Sequence, residues 1–320
     1  MNIENASEDC LFCASKNFSQ VKNYSNILGI PNNFESQVVK CIDCGGLFLS
    51  PYVSEELLAS IYSKSYFSGE DEDKLDGNLN NESLGKSSGS SNARAFLSAD
   101  NDQGQFFDEV SRSRTGKFRF SISELKSIHP SCKNILDVGT ANGDFLSIAR
   151  EEGLDISGVE YSEYAARNAE KKLQIKMFCG DILDFNPPKK FDLIHLNHVY
   201  EHVISPRAVA IKLGSLLADD GLLYIEVPFQ FNLVERFKSK IFRKNYQFNH
   251  HSIHHTVFYR PKNLNKLFLD AGLEVVKSEV FHWRRYPTQN FSGKLKGLLW
   301  WLISLSGQGL YIEAIYRKKG

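Results

Sequence analysis

Four cysteines near the N-terminus have the spacing of a metal site. Cys10 and Cys13 form one Cys-x-x-Cys pair, and Cys41 and Cys44 form another. Two such pairs can supply the four thiolates of a tetrahedral zinc site. Disulfide bonds are the alternative, which a cytoplasmic location disfavours. The spacing therefore predicts zinc bound by Cys10, Cys13, Cys41 and Cys44.

A second group, His198, Glu201 and His202, has the side chains of acid–base chemistry. It follows the apolar run Phe191 to Asn197, a predicted strand, at the carboxyl edge where doubly wound sheets bind their ligands. A histidine with its ordinary pKa of about 6.5 can remove a proton near neutrality. We expect His202 to be the general base, oriented by Glu201, while His198 lines the substrate site. Bracing of the loop by the Glu-His pair is the alternative.

A glycine-containing turn marks a candidate cofactor site. The segment DVGTANG, with Asp137, Gly139 and Gly143, ends a predicted strand and precedes a predicted helix. Glycine there lets the backbone approach a ligand closely, and Asp137 would hold the turn or reach an amino group of the ligand. Glu160 ends the next strand, where a carboxylate can accept hydrogen bonds from both ribose hydroxyls. Glycines that serve the fold alone are the alternative.

The third predicted strand is followed by Asp181 and Ile182, which could bind the amino group and a ring nitrogen of an adenine. A nicotinamide dinucleotide enzyme would also place glycine and an acidic residue in a βαβ unit. Its G-x-G-x-x-G spacing is absent, because Gly139 is followed by Gly143 with no glycine between them. The pattern therefore favours a cofactor without a pyrophosphate.

Strand and helix patterns alternate from about residue 106 to residue 320. Such alternation predicts an α/β fold with a doubly wound, Rossmann-like, mostly parallel sheet. The last strand, Leu310 to Arg317, is expected to be antiparallel. An insertion at about 229–256 carries His250, His251, His254 and His255. We expect these histidines to belong to a lid over the substrate, with adventitious metal binding as the alternative.

Composition divides the chain into three regions. Residues 68–105 are rich in Gly, Ser, Asn and Asp, which predicts a flexible linker between a cysteine-containing module at 1–67 and the α/β domain at 106–320. The 38 basic and 38 acidic side chains give no positive excess that would favour nucleic acid. The first ten residues have neither the basic start nor the apolar run of a secretory signal, and the longest apolar stretch near the C-terminus is too short to span a bilayer. We therefore expect a cytoplasmic protein.

The segments ILDVGTANGDFL, GVEYSEYAARNA, GDILDF and FDLIHLNHVYEHVISP resemble, in this order, four motifs of class I S-adenosylmethionine (SAM) dependent methyltransferases. The resemblance covers about residues 112–318 and implies methyl transfer with SAM as cofactor. It implies SAM contacts from Asp137, Gly139, Gly143, Glu160, Tyr161, Asp181, Ile182 and Asn197. Two departures are Ala141, where the family often has Gly, and His198, where some related O-methyltransferases use a Glu to help hold a divalent metal.

The segment VVKCIDCGGLFLSPYVSEELLASIYSKSYF resembles the end of the zinc ribbon that a subset of these methyltransferases carries. That subset includes enzymes of deoxysugar and surface-polysaccharide biosynthesis. The resemblance implies a saccharide or a nucleotide-linked sugar as acceptor, methylated at carbon or at oxygen. One alternative is a zinc-containing RNA methyltransferase, which the lack of an aromatic-basic stripe disfavours. The other is a non-catalytic SAM-binding scaffold protein.

Two basic and apolar segments, 235–244 and 294–305, flank the final strands. In the first, apolar residues recur at helical spacing opposite Lys and Arg, so a solvated helix packed on the sheet is the alternative to a functional role. The second carries Trp300 and Trp301 and more apolar surface than a free helix should expose. We expect both segments to cover the acceptor site, and 294–305 to contact a membrane surface or a subunit.

Overall fold

A computed structural model of the protein describes residues 4–5, 9–24, 36–53, 104–229, 255–281 and 306–319. The predicted linker up to residue 103, the insertion from 230 to 254, and both basic and apolar segments lie outside the described residues. His250, His251 and His254 also lie outside them.

The described strands form a seven-stranded sheet, a four-stranded sheet and a two-stranded ribbon. In chain order they are β1 (Glu4–Asn5), β2 (Phe18–Tyr24), β3 (Ser36–Cys41), β4 (Leu47–Ser50), β5 (Tyr52–Val53), β6 (Asn134–Val138), β7 (Asp155–Glu160), β8 (Phe178–Cys179), β9 (Phe191–Asn197), β10 (Leu217–Pro228), β11 (Val257–Phe258), β12 (Leu273–Phe281) and β13 (Tyr311–Lys318). The helices are α1 (Gly104–Ile128), α2 (Asp144–Glu151), α3 (Glu163–Leu173), α4 (Pro206–Leu216) and α5 (Pro261–Asp270), with 3₁₀ turns at Ile182–Asp184 and Tyr200–His202. Among the described residues, no helix combines the length and the apolar character needed to cross a bilayer.

The seven-stranded sheet has the strand order β12-β13-β10-β9-β6-β7-β8. β13 runs antiparallel to both of its neighbours, β10 and β12, while the strands from β10 to β8 pair in parallel. The predicted doubly wound sheet with an antiparallel last strand is therefore confirmed. The chain winds away from β6 in both directions, so the ligand crevice is expected at the carboxyl ends of β6 and β9.

Apolar runs build the core on both faces of this sheet. In β6 and β9 the runs NILDV and FDLIHLN are buried along most of their length, as in parallel strands covered by helices. The side chains that α2 buries are Phe145, Leu146, Ile148 and Ala149. Sequence patterns did not indicate α1, whose last turns bury Ile122 and Leu125 in the same apolar cluster. Helix α1 thus covers the sheet on the side of α2.

The four-stranded sheet, with the order β11-β4-β3-β2, joins the N-terminal module to the α/β domain. β11 follows the insertion of the α/β domain and pairs antiparallel with β4 of the module. The Leu49 amide also donates a hydrogen bond to the Thr256 carbonyl at 2.9 Å. Phe12 and Phe48 of the module lie in one buried apolar cluster with Tyr259 of the α/β domain. The two parts therefore share both a sheet and a core.

Candidate functional site

The turn between β6 and α2 is the first part of the site. Gly139 has φ 76° and Gly143, which precedes α2, has φ 78°, and both are backbone conformations that favour glycine. A Cβ on Gly139 would lie 2.2 Å from Cγ2 of Val199, and one on Gly143 would lie 2.8 Å from Cδ1 of Leu173. Both positions therefore require glycine. The missing Cβ of Gly139 also lets the turn contact the loop that follows β9.

Glu160, at the end of β7, holds this turn with its buried carboxylate. One oxygen accepts a hydrogen bond from the Ala141 amide at 2.7 Å, and the other accepts one from the Ser162 amide at 2.9 Å. Burial raises the pKa of Glu160, although the amides act in the opposite direction. Because a carboxylate has about four lone-pair sites, both oxygens can accept further hydrogen bonds from a ligand. Ala141 takes φ 48°, which the glycine common in the family would adopt with less strain.

Asp137 makes its main contact inside the sheet. Its Oδ1 lies 2.7 Å from Nδ1 of His195 in β9, and both side chains are almost fully buried. The His195 ring stacks on the ring of Phe145, with centroids 3.5 Å apart. Burial raises the pKa of Asp137, while His195 acts to lower it. Sequence reasoning missed His195, although a single histidine in the apolar run FDLIHLN was a visible signal.

The other residues expected to contact the cofactor lie along the same edge. Because β8, β7, β6 and β9 are consecutive in the sheet, their carboxyl ends are neighbours. Tyr161 follows β7 and is 44% exposed. Asp181 caps the first 3₁₀ turn by accepting a hydrogen bond from the Leu183 amide at 2.7 Å, while Ile182 is buried. Asn197 ends β9 half-buried. The structure thus brings the whole predicted cofactor set to one edge of the sheet.

The loop after β9 holds the predicted base and its neighbours. His198 takes φ 56°, and the second 3₁₀ turn then carries Glu201 and His202. Oε1 of the buried Glu201 lies 3.3 Å from Nδ1 of His198 and 3.8 Å from Nε2 of His202. Glu201 is therefore closer to His198, and its distance to His202 is longer than a hydrogen bond. Hydrogen bonds between catalytic groups often shorten only when the substrate binds.

Glu226 and Lys117 complete this part of the site, and sequence reasoning missed both. Oε1 of the fully buried Glu226, near the end of β10, lies 3.3 Å from Nε2 of His198 and contacts Nζ of Lys117 from α1. Burial opposes the ionisation of Glu226, but Lys117 and His198 outweigh it and lower the pKa to about 2. Burial also opposes the charged form of His198, but Glu201 and Glu226 outweigh it and raise the pKa to about 9. The two carboxylates therefore hold His198 as a cation.

His255 joins this group from a distant part of the chain. Its ring centroid lies 4.8 Å from that of His202. The following residue, Thr256, donates its amide hydrogen to the Glu201 carbonyl at 2.9 Å. Of the four histidines predicted in the insertion, His255 is the one that the described residues include, and it lies beside the predicted base.

The four N-terminal cysteines converge on one point. Sγ of Cys10 lies 3.6 Å from Sγ of Cys44, and Sγ of Cys13 lies 3.6 Å from Sγ of Cys41. A tetrahedral site with Zn–S bonds of about 2.3 Å requires sulfur atoms about 3.8 Å apart. The Gly46 amide donates to Sγ of Cys44 at 3.4 Å, which stabilises a thiolate. All four are free cysteines, so their arrangement fits zinc.

The fold and the site together define a class of protein. The strand order, the antiparallel last strand, the glycine turn and the carboxylate at the end of β7 form the architecture of class I methyltransferases. The family model described as "Methyltransferase domain" matches residues 103–278, more than half of the chain. The chain belongs to this family.

The chain is also similar to individual known proteins. The chain is 26% identical over 171 residues to the ubiquinone biosynthesis O-methyltransferase of Coxiella burnetii (strain RSA 331 / Henzerling II), a match that covers 49% of this chain and 70% of the relative. Among solved structures, it is similar to magnesium protoporphyrin IX methyltransferase from Synechocystis PCC 6803 with bound SAH, at a TM-score of 0.50 and 12% identity over 83% of this chain and all (100%) of the other. A SAM-dependent methyltransferase from Clostridium acetobutylicum ATCC 824 matches at a TM-score of 0.47 and 14% identity, over 63% of this chain and 91% of the other.

Proposed function

We propose that the protein transfers a methyl group from SAM to a saccharide, either a nucleotide-linked sugar or another sugar derivative. The observation that carries this proposal is the contact between the two halves of the site, where a Cβ on Gly139 would lie 2.2 Å from Val199. Val199 belongs to the loop of His198 and His202, so the cofactor turn and the proposed base are adjacent. Methyl transfer with proton removal requires this proximity, because the base must lie beside the sulfonium.

The carboxyl ends of β6, β7 and β8 form what we call the cofactor edge. This edge would hold SAM by the adenosine part of the cofactor. Glu160 accepts hydrogen bonds from both ribose hydroxyls with the lone pairs that the backbone amides leave available. Asp181 and the backbone of Ile182 bind the adenine. Tyr161 and Asn197 complete these contacts from the ends of β7 and β9. The adjacency of the four strands supports this assignment, because all five residues lie at or just after the carboxyl ends of consecutive strands.

The turn itself would position the ligand by its shape. Gly139 and Gly143 allow close approach of the backbone, since neither presents a Cβ. Asp137 has its carboxylate against His195 at 2.7 Å. This contact occupies the Asp137 carboxylate inside the sheet and therefore disfavours direct binding of an amino group.

The loop after β9, with the side chains that contact it, forms what we call the acceptor edge. This edge would supply the base. When bound, SAM would supply an electrophilic methyl group on its sulfonium. The acceptor atom would bond to the methyl carbon in line with the C–S bond, which breaks and releases S-adenosylhomocysteine. His202 takes the proton that the acceptor atom loses. His198 cannot share this role, because Glu201 and Glu226 raise its pKa to about 9 and keep it protonated. His198 therefore lines the acceptor site as a fixed cation.

The N-terminal module would bind one zinc ion through Cys10, Cys13, Cys41 and Cys44. The spacing of the sulfur atoms supports this proposal, and such modules draw much of their folding free energy from the metal. Free thiols suit a reducing compartment, which supports a cytoplasmic location. We expect elemental analysis of freshly prepared, reduced protein to find one tightly held zinc per chain at these cysteines, lost on replacing Cys41 and Cys44 by Ser. Zinc-free protein with a folded module would contradict this.

The acceptor class is tested by following the release of S-adenosylhomocysteine with three kinds of acceptor. We expect turnover with nucleotide-linked sugars and none with RNA fragments or phenols. The resemblance of the module to the ribbon of sugar methyltransferases supports this expectation, as does the balance of acidic and basic residues. The Coxiella burnetii relative is named an O-methyltransferase of ubiquinone biosynthesis, which is why phenols form the third arm. Turnover with RNA alone would replace the saccharide proposal, and SAM binding without turnover on any acceptor would identify a scaffold protein.

A further inference from the structure

A second group of metal-binding side chains lies next to the proposed base. Glu201, His202 and His255 each present one potential ligand atom, and these three atoms lie within 4.8 Å of one another. The first two residues come from the loop after β9, whereas His255 precedes β11 and comes from the other side of the insertion. Two imidazoles and one carboxylate are a common ligand set for divalent transition metals.

The carboxylate of Glu201 is only partly satisfied by the protein. Its Oε1 lies 3.3 Å from Nδ1 of His198. Its Oε2 is buried and has no hydrogen-bond partner within the described part of the chain. A buried carboxylate oxygen without a partner is destabilising, and a bound cation would remove this cost. Because Glu201 is 2% exposed, this oxygen is also shielded from bulk water.

The backbone around these three side chains is held firmly. The Thr256 amide donates to the Glu201 carbonyl at 2.9 Å, which ties the segment of His255 to the loop of His202. The Tyr259 hydroxyl donates to the Tyr200 carbonyl at 3.2 Å, and the rings of these tyrosines stack with centroids 5.3 Å apart. The fold therefore brings the three potential ligand atoms together.

We propose that Glu201, His202 and His255 form a second metal site, separate from the cysteine cluster, for a divalent transition-metal ion such as Zn²⁺ or Co²⁺. Imidazole ligands favour these ions over Mg²⁺, which prefers oxygen. Three protein ligands leave one tetrahedral position for water or for an oxygen atom of the acceptor. The link to the acceptor rests on the proposed function, whereas the metal site itself does not. A metal-bound nitrogen cannot accept a proton, so His202 acts as the base in the metal-free protein, and we expect the bound ion to inhibit methyl transfer.

The test is a titration of Co²⁺ into the full-length protein whose cysteine site already holds zinc, followed by visible absorption. We expect one further equivalent to bind, with weak ligand-field bands and without the intense charge-transfer band of thiolate ligands. Glu201→Gln and His255→Ala should each weaken this binding by about 100-fold or more, because even outer-shell partners of a metal contribute about 10- to 100-fold. His129→Gln is the matched control, since His129 lies beside Asp220 rather than in the group.

A triple variant with His250, His251 and His254 replaced by Gln separates this site from other histidines of the insertion. Metal binding that survives in the triple variant but is lost in His255→Ala supports the proposal. Binding that is unchanged in both Glu201→Gln and His255→Ala, or lost only in the triple variant, would overturn it. Calorimetric SAM titrations of the same samples test SAM binding separately from metal binding. A protein that binds Co²⁺ but not SAM would contradict the proposed function and leave the metal site intact.

Discussion

The cofactor edge and the acceptor edge of this sheet are built in different ways. The cofactor edge is formed by the ends of β6, β7 and β8 and is shaped mainly by backbone, as the hydrogen bond between Glu160 and the Ala141 amide shows. The acceptor edge gathers side chains from distant segments, including Lys117 of α1, Glu226 of β10 and His255. A common cofactor can be bound by a local motif, whereas the chemistry on an individual acceptor requires groups that only the complete fold assembles.

The electrostatics of the two edges differ in the same way. Burial raises the pKa of Asp137 and of Glu160 at the cofactor edge. At the acceptor edge the opposite holds for Glu226, whose pKa falls to about 2 beside Lys117 and His198. The cofactor edge therefore presents desolvated acids that depend on hydrogen-bond donors, while the acceptor edge is a network of paired charges.

The largest expected effect that separates the two edges is on the rate of methyl transfer. His202→Ala should lower the rate by about 10²–10⁴ fold, the usual contribution of a positioned base, because it removes the proposed proton acceptor. Added imidazole should restore part of the rate. The measurement is S-adenosylhomocysteine release with a working acceptor, and His129→Ala serves as control. A wild-type rate in His202→Ala would reduce the Glu-His pair to support of the loop.

The next largest effect concerns the contact between the two edges, which Gly139 and Val199 form. Gly139→Ala should lower the free energy of unfolding by about 2–4 kcal/mol, because it combines a strained positive φ with overpacking against Val199. In a Val199→Ala background the same substitution should cost only about 1–2 kcal/mol, since the strain alone remains. Denaturant unfolding of the four proteins measures both values. Equal losses of unfolding free energy in the two backgrounds would show that a side chain at position 139 does not overpack against Val199.

A smaller effect is expected from pH. The pKa of His198 is raised from 6.5 to about 9, so its contribution to stability is complete below about pH 6.5 and is lost as the pH rises through about 9. The pKa of Glu226 is lowered from 4.5 to about 2, so its contribution is present above about pH 4.5 and is lost as the pH falls through about 2. The network should therefore stabilise the fold most between about pH 4.5 and 6.5.

The substitution Glu226→Gln tests how much this network of paired charges contributes to the charge on His198. Removal of one carboxylate partner should lower the pKa of His198 by about 1 pH unit or more and should shift the alkaline loss of stability to lower pH. Histidine NMR titration and melting temperature as a function of pH measure these changes. An unaltered His198 titration in Glu226→Gln would mean that Glu201 alone holds the cation.

The sequence was sufficient to predict the strands β6 and β9 and the glycine turn after β6, because these features are local. The runs NILDV and FDLIHLN have the uniform apolar character of buried parallel strands, and the positions of Gly139, Gly143 and Glu160 follow from one βαβ unit. Of the side chains that meet around His198, the sequence indicated only the continuous group from His198 to His202. Glu226 could have been noticed as a lone carboxylate in the apolar run LLYIEVPF. No local pattern indicates that Lys117 would meet it from α1.

Two boundaries were also beyond local patterns. Gly221 has the character of a helix end, but α4 ends at Leu216 and β10 begins at once with Leu217. Gly221 instead lies at the irregular register of β10 against β9, where a Cβ would come within 2.8 Å of the Phe191 carbonyl oxygen. β11 has only two residues, and its partner β4 lies in the N-terminal module. Tertiary contacts rather than propensity therefore decide both features.

The account assigns SAM binding to the cofactor edge and proton removal to the acceptor edge. Calorimetric titration of SAM into the wild-type protein, Glu160→Ala and His202→Ala tests this assignment most directly. Loss of the Glu160 carboxylate should weaken SAM binding by about 10- to 100-fold, corresponding to about 1.5–3 kcal/mol for charge-assisted hydrogen bonds. His202→Ala should leave the dissociation constant within about twofold of the wild-type value, because its proposed role is at the acceptor. Unchanged SAM affinity in Glu160→Ala, or a loss as large in His202→Ala, would contradict the assignment of the two edges.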